Sequence, residues 1–138
     1  AAEDARAALV TDLGEVDPDL IAFLTGAGTL FIESNYEPAL LAAGPYPQKL
    51  QRRIASGVGH LSNAQTAAAL EILAPGLDDV ILMHVSQTNN EPRLAREAAE
   101  GALGKCGAKV RVASQGEPLM VEVGPRRGQL SLGDAASP

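Results

Sequence analysis

Three short apolar runs divide this chain, RAALVTD (6–12), TLFIE (29–33) and DVILMHV (79–85), and the polar residues Asp12 and His84 stand at or near the far ends of the first and third. Runs of that length, bounded by Gly and polar residues, read as buried strands. The stretches between them carry helix signals. Asp17 is a good N-cap and Pro18 suits the first helical position, so a helix is expected from Pro18 to Leu24, stopping near Gly26. YEPALLAAG reads as a short helix ended by Gly44. GPYP breaks it, and QKLQRRIAS forms another, with Leu50 and Ile54 on one face. Ser62 and Gln65 fit a capping box for a helix running to about Leu73, stopped by Pro75 and Gly76. Asn89 or Asn90 is expected to cap a helix over PRLAREAAEGAL, with Gly104 as its stop. AKVRVA (108–113) alternates like a strand with one exposed face, and LMVEV (119–123) is a candidate last strand. The order, β-α-β-α-α-β-α-β-β, is that of an α/β layered domain with no internal repeat or linker.

Aromatic residues make up only 3% of the 138 residues, with no Trp, so the core must be built from Ala, Val, Leu and Ile. Nucleic-acid bases are offered no aromatic platform. The net charge of −6 argues against a broad basic surface. Arg52–Arg53 and Arg126–Arg127 are local basic pairs, suited to a phosphate or simply to solvent. The lone Cys106 excludes an intramolecular disulfide, and a reduced, cytoplasmic setting is expected. No apolar run approaches the roughly 18–20 residues of a membrane span, so no membrane partner is expected.

Asp12 ends the first strand and His84 lies near the end of the third, where α/β sheets bind ligands. A buried carboxylate needs a positive partner. A divalent metal is one, and the helix N-terminus at Asp17 and Pro18 is another. His84 suits a metal, although a histidine at a strand end is often a hydrogen-bonded structural residue. His60, in the Gly-flanked loop before the capped helix, is placed either to meet an anionic ligand near free N–H groups or to shape the turn. Ser62 and Ser86 accompany the histidines, but no G-x-S-x-G elbow, P-loop, G-x-G-x-x-G or paired-cysteine zinc motif occurs.

TDLGEV (11–16), LFIESNYE (30–37), GPYPQKLQRRI (44–54), GHLSN (59–63) and MHVSQTNNEP (83–92) come in the order found in another group of proteins. With these segments the chain resembles metallo-β-lactamase-fold hydrolases, in the branch of small bacterial exonuclease-like or phosphodiesterase-like proteins. The resemblance runs from about Ala7 to about Val123. It implies an α/β fold that is half of an αββα sandwich, a mixed sheet flanked by helices. Residues 1–123 would be the C-terminal half of that domain, and 124–138, with little apolar periodicity, a disordered tail. It also implies a dinuclear site of two divalent ions, Zn or Mn, with Asp12 as bridging ligand, His84 as the last His ligand and His60 as a catalytic residue beside them. Ser62, Asn63, Ser86 and Asn90 are the expected substrate contacts, on a phosphodiester or other phosphate-containing substrate.

Two departures stand against a complete enzyme. The family's H-x-H-x-D-H motif lies in the other half, and this sequence has only two His. Tyr36 and Glu37 stand where the branch carries His-Asp. Alone, the chain is therefore expected to bind metal weakly or not at all, to be inactive, and to expose apolar sheet surface that drives self-association or pairing with a missing N-terminal half or a second chain. A fragment, a truncated gene product and a subunit all fit. The alternative function is a catalytically incomplete α/β module acting in homo- or hetero-association.

Overall fold

The structure is a computed structural model that describes residues 5–124. The elements follow the expected alternation: β1 (Ala7–Val10), α1 (Pro18–Leu24), β2 (Thr29–Glu33), α2 (Pro38–Ala43), α3 (Gln48–Ile54), α4 (Asn63–Leu73), a 3-10 turn (Ala74–Gly76), β3 (Asp79–Met83), α5 (Pro92–Leu103) and β4 (Lys109–Val112).

Local chemistry sets the helix starts. Asp17 accepts from Leu20 N–H at 2.8 Å. The capping box of α4 is reciprocal: Gln65 N–H donates to Ser62 Oγ at 3.1 Å, and Ser62 N–H donates to Gln65 Oε1 at 2.8 Å. Each bond satisfies a donor that a helix start leaves without a partner. α5 departs from expectation. Its N-cap is Glu91, with no side-chain capping bond, rather than Asn89 or Asn90. Pro92 in the first turn brings no N–H, which leaves one donor fewer to cap.

The sheet order is β1-β2-β3-β4, and every pairing is parallel. Parallel neighbours need crossovers, and successive crossovers of one hand put their helices on one face. Accordingly Ala8, Val10, Leu30, Ile32, Val80 and Leu82 share one core with Leu24 of α1, Leu70 and Leu73 of α4, and Ala95, Ala99 and Leu103 of α5. As the composition requires, this cluster is aliphatic. Alternate strand residues point to the opposite face, where Leu9 is 61% exposed. The chain thus supplies one helical layer and one sheet layer, the half-sandwich expected.

The expected strand over 119–123 does not form, and with it goes the mixed character of the sheet among the described residues. A hairpin return from β4 would have been antiparallel. Instead Ser114 and Glu117 close a small bridge, Pro118 has no N–H for a ladder, and Met120 is exposed. The expected disordered tail falls almost wholly on 125–138, outside the described residues. Among the described residues no helix is long and apolar enough to cross a membrane.

Candidate metal centre

Parallel strands bring their carboxyl ends to one rim, so residues just past β1, β2 and β3 meet there. Asp12 follows β1, Glu33 ends β2 and His84 follows β3. His60 reaches the same rim from the loop between α3 and α4. Donor atoms of Asp12, Glu33, His60 and His84 all lie within 4.8 Å of one another. Asp12 Oδ1 is 3.7 Å from His84 Nδ1 and 3.9 Å from His60 Nδ1.

Glu33 is at the centre of the cluster. It is fully buried, and its carboxylate is surrounded by donors: Oε1 lies 2.9 Å from His60 Nδ1 and 2.5 Å from His84 Nδ1, and Oε2 accepts from Leu61 N–H at 3.1 Å. A carboxylate out of water is tolerable only with such partners. When both Nδ1 atoms donate, each ring's Nε2 keeps its lone pair. The two rings sit edge to face, with centroids 4.9 Å apart.

The backbone is bent to present these groups. Asp12 (φ 59°) and His84 (φ 52°) are the non-glycine residues of positive φ among those described, a region costly for residues with a Cβ. At His84 the bend is held from outside. Asn35 Nδ2 donates to His84 O at 2.7 Å, Ser34 N–H to Met83 O at 3.0 Å and Ser86 N–H to Asn35 O at 2.9 Å. Gly14 packs the Asp12 loop against the loop that carries His60, and Gly59 packs that loop against the end of α3. A Cβ on Gly14 would lie 2.1 Å from Ser56 O, and one on Gly59 would lie 2.2 Å from the carbonyl oxygens of Arg53 and Ile54. His60 N–H donates to Ile54 O at 2.9 Å, tying this loop to the end of α3.

The remaining predicted residues divide. Ser86 borders, with His60 and His84, a cavity of about 460 Å³ also lined by Asn35, Tyr46 and Leu50. Ser86 Oγ accepts from Asn89 N–H at 2.9 Å and from Thr88 N–H at 3.2 Å, which leaves its proton to donate. Ser62, Asn63 and Asn90 are buried, and their side chains are engaged within the protein. Ser62 caps α4. The Asn63 and Asn90 amides bond reciprocally at 2.9 Å each way, and Asn90 Nδ2 also donates to Ser34 O at 3.0 Å. The Tyr36–Glu37 pair supports the same scaffold. Glu37 accepts from Asn63 Nδ2 at 2.9 Å, and Tyr36 packs with Leu41 and Ile54. Burial pushes the Tyr36 phenol above its ordinary 10, and its contact with Ser62 offsets part of that.

Sequence reasoning missed Glu33 and Asn35. Both lie in LFIESNYE, and Glu33 carried a usable signal: an acidic residue closing an apolar strand, level with the polar ends of its neighbours.

The donor set could hold a divalent ion: an exposed carboxylate and imidazole nitrogens lie close together. No family model matches the chain. Over 103 residues it is 34% identical to the exodeoxyribonuclease YycJ of Bacillus anthracis, covering 74% of this chain and 39% of that protein. It is also 34% identical over 94 residues to the exodeoxyribonuclease WalJ of Streptococcus pneumoniae, covering 67% and 35%. The chain thus spans less than two-fifths of the length of these curated relatives. Among solved structures it superposes on the metallo-β-lactamase fold protein YhfI from Bacillus subtilis with a TM-score of 0.57 at 16% identity, over 85% of this chain and 40% of that one. A diphosphatase from the PhnP family gives a TM-score of 0.50 at 18% identity, over 88% and 38%.

Proposed function

We propose that this chain, which shares its fold with metallo-β-lactamase-fold proteins, supplies one side of a metal-dependent phosphodiester hydrolase site, with Asp12 and His84 as metal ligands. The observation that carries the reading is the convergence of Asp12, His60 and His84 on the buried carboxylate of Glu33, within 4.8 Å. Two divalent ions would supply an activated water and stabilise negative charge on the substrate. Asp12 and His84 would hold them, His84 through Nε2, its Nδ1 being held by Glu33. His60, oriented by the same carboxylate, is placed to take or give a proton at Nε2. Ser86 Oγ–H faces the adjoining cavity and is the substrate donor of this set. Ser62, Asn63 and Asn90 act from behind, holding the loops that carry the site. Phosphodiester substrates are favoured by the exodeoxyribonuclease relatives, and a soluble, cytoplasmic setting accords with them.

The further ligands of a dinuclear site are not among these residues, so the chain by itself is proposed to bind metal weakly and to be inactive. Calorimetric titration with zinc and with manganese tests this. Weak binding that disappears in Asp12→Gly and in His84→Ala is expected. Glycine suits the positive φ at position 12, so the first variant keeps the fold. Tight stoichiometric binding that survives Asp12→Gly would overturn the reading.

Exposed Leu9, on the sheet face away from the helices, favours a second reading, an association module whose open face is covered by another half or another copy. Light scattering that finds a stable metal-free homodimer supports it, and a clean monomer counts against it.

A further inference from the structure

α3 carries three of the cations in this acidic chain. Lys49, Arg52 and Arg53 occur within five consecutive positions, and α3 contains no acidic residue. Positions 49, 52 and 53 are spaced i, i+3 and i+4, so the three charges share one side of the helix. All three are exposed.

What sets them apart is that they stand together on one helix without a carboxylate, whereas other cations outside ion pairs, such as Arg6 and Lys105, stand singly. Elsewhere arginines are engaged: Arg93 with Glu91 and Glu97, Arg96 with Glu100, Arg111 with Asp79. No carboxylate lies within ion-pair distance of Lys49, Arg52 or Arg53 among the described residues. Arg52 and Arg53 fall in the last turn, where cations offset the helix C-terminal carbonyls. That accounts for two of the charges. It does not account for Lys49, which stands in the first turn, where the same field disfavours it.

The stripe is continuous with the site. Leu50 and Ile54, on the adjoining side of α3, line the cavity that His60, His84 and Ser86 also border. The last carbonyl of α3, Ile54 O, holds His60 N–H at 2.9 Å. The residues lining that cavity include no Lys or Arg. The same helix thus carries cavity-lining residues on one side and the three cations on another.

We propose that α3 is a phosphate-tracking element: Lys49, Arg52 and Arg53 hold the backbone of a single-stranded nucleic acid whose next phosphodiester lies at the Asp12–His84 centre. This rests on the phosphodiester reading above and adds the surface that guides the strand. Three local cations on a chain of net charge −6 give a narrow track, suited to one strand.

Fluorescence anisotropy with a labelled single-stranded DNA oligonucleotide and the 138-residue chain tests it. Each phosphate contact to a single strand contributes roughly −0.7 to the slope of log K against log salt. Three contacts give a slope of about −2, or about a 20-fold loss of affinity between 50 and 200 mM salt. The combined variant Lys49→Gln, Arg52→Gln, Arg53→Gln is expected to lose this slope and its share of the affinity. Arg93→Gln with Arg96→Gln, which removes charge from the acid-paired α5, is expected to leave the slope unchanged. Equal losses in both variants would mean diffuse attraction and overturn the proposal, as would absence of oligonucleotide binding by the parent chain. The metal titration is read separately. Loss of strand binding with the metal site intact is the expected result for the α3 variant. A failed metal titration sinks the hydrolase reading without altering what the α3 variant says about DNA.

Discussion

Replacing Glu33 by Gln separates what the buried carboxylate does for stability from what it does for the histidines. The carboxylate meets three N–H groups: His60 Nδ1 and His84 Nδ1 at Oε1, and Leu61 N–H at Oε2. An amide of the same shape has one oxygen. If that oxygen faces the rings, the amide NH₂ meets Leu61 N–H, and a buried donor goes unsatisfied at a cost of about 1–3 kcal/mol. If instead the oxygen faces Leu61, the NH₂ can donate to both rings, provided each Nδ1 becomes an acceptor. The second arrangement keeps every bond and is the cheaper. Only the charge assistance is lost, about 1 kcal/mol. The consequence is chemical: the protons move to Nε2, the atoms proposed to bind metal and carry the catalytic proton. Glu33→Gln should therefore unfold in urea at a stability within about 2 kcal/mol of the parent, while metal affinity falls about 10–100-fold. Nitrogen-15 NMR of the imidazoles near pH 8, above the ordinary histidine range, reads the tautomers directly. Parent rings protonated at Nδ1 and variant rings protonated at Nε2 are expected. Unchanged tautomers with unchanged metal affinity would refute the assignment of Glu33 as the positioning residue.

Two further outcomes follow from the loops and from Tyr36. Gly59→Ala forces a Cβ against two backbone carbonyls at 2.2 Å, so the loop carrying His60 must shift; a loss of about 1–3 kcal/mol in urea unfolding is expected, with perturbed His60 resonances. Burial raises the Tyr36 phenol above its ordinary 10, so the neutral phenol's contribution is complete below that pH and is lost as pH rises through the higher folded value. Tyr36→Phe should flatten that alkaline fall in a pH series of thermal unfolding, and an identical alkaline fall in the variant would show that another group causes it.

The strand alternation, the capped α1 and α4, and the polar ends of β1 and β3 were legible because each depends on local spacing. Asp12 and His84 could be read as one site because parallel strands share a carboxyl rim. Glu33 escaped because its role is set by register rather than by neighbours in sequence: pairing with Met83 puts it beside the residue before His84. Asn63 and Asn90 were expected as substrate contacts only through the family resemblance, and tertiary packing is what brings their amides together. LMVEV has strand character but no partner strand among the described residues, so its propensity goes unused there.

The sequence left two partners open for Asp12, a metal ion or the start of α1, and the structure bears on the second. The start of α1 already has its own acid, since Asp17 takes Leu20 N–H at 2.8 Å. The Asp12 side chain is 68% exposed, so no burial penalty calls for compensation there. Yet its backbone occupies the left-handed region, at a cost of roughly 1–2 kcal/mol for a residue with a Cβ, and His84 across the rim does the same. Neither distortion fills the core, and at His84 neighbouring hydrogen bonds hold it in place. What the two bends share is their result: the Asp12 carboxylate and the His84 ring meet above Glu33, with Oδ1 3.7 Å from Nδ1. A ligand bound by both groups, the cation proposed above, would account for both bends.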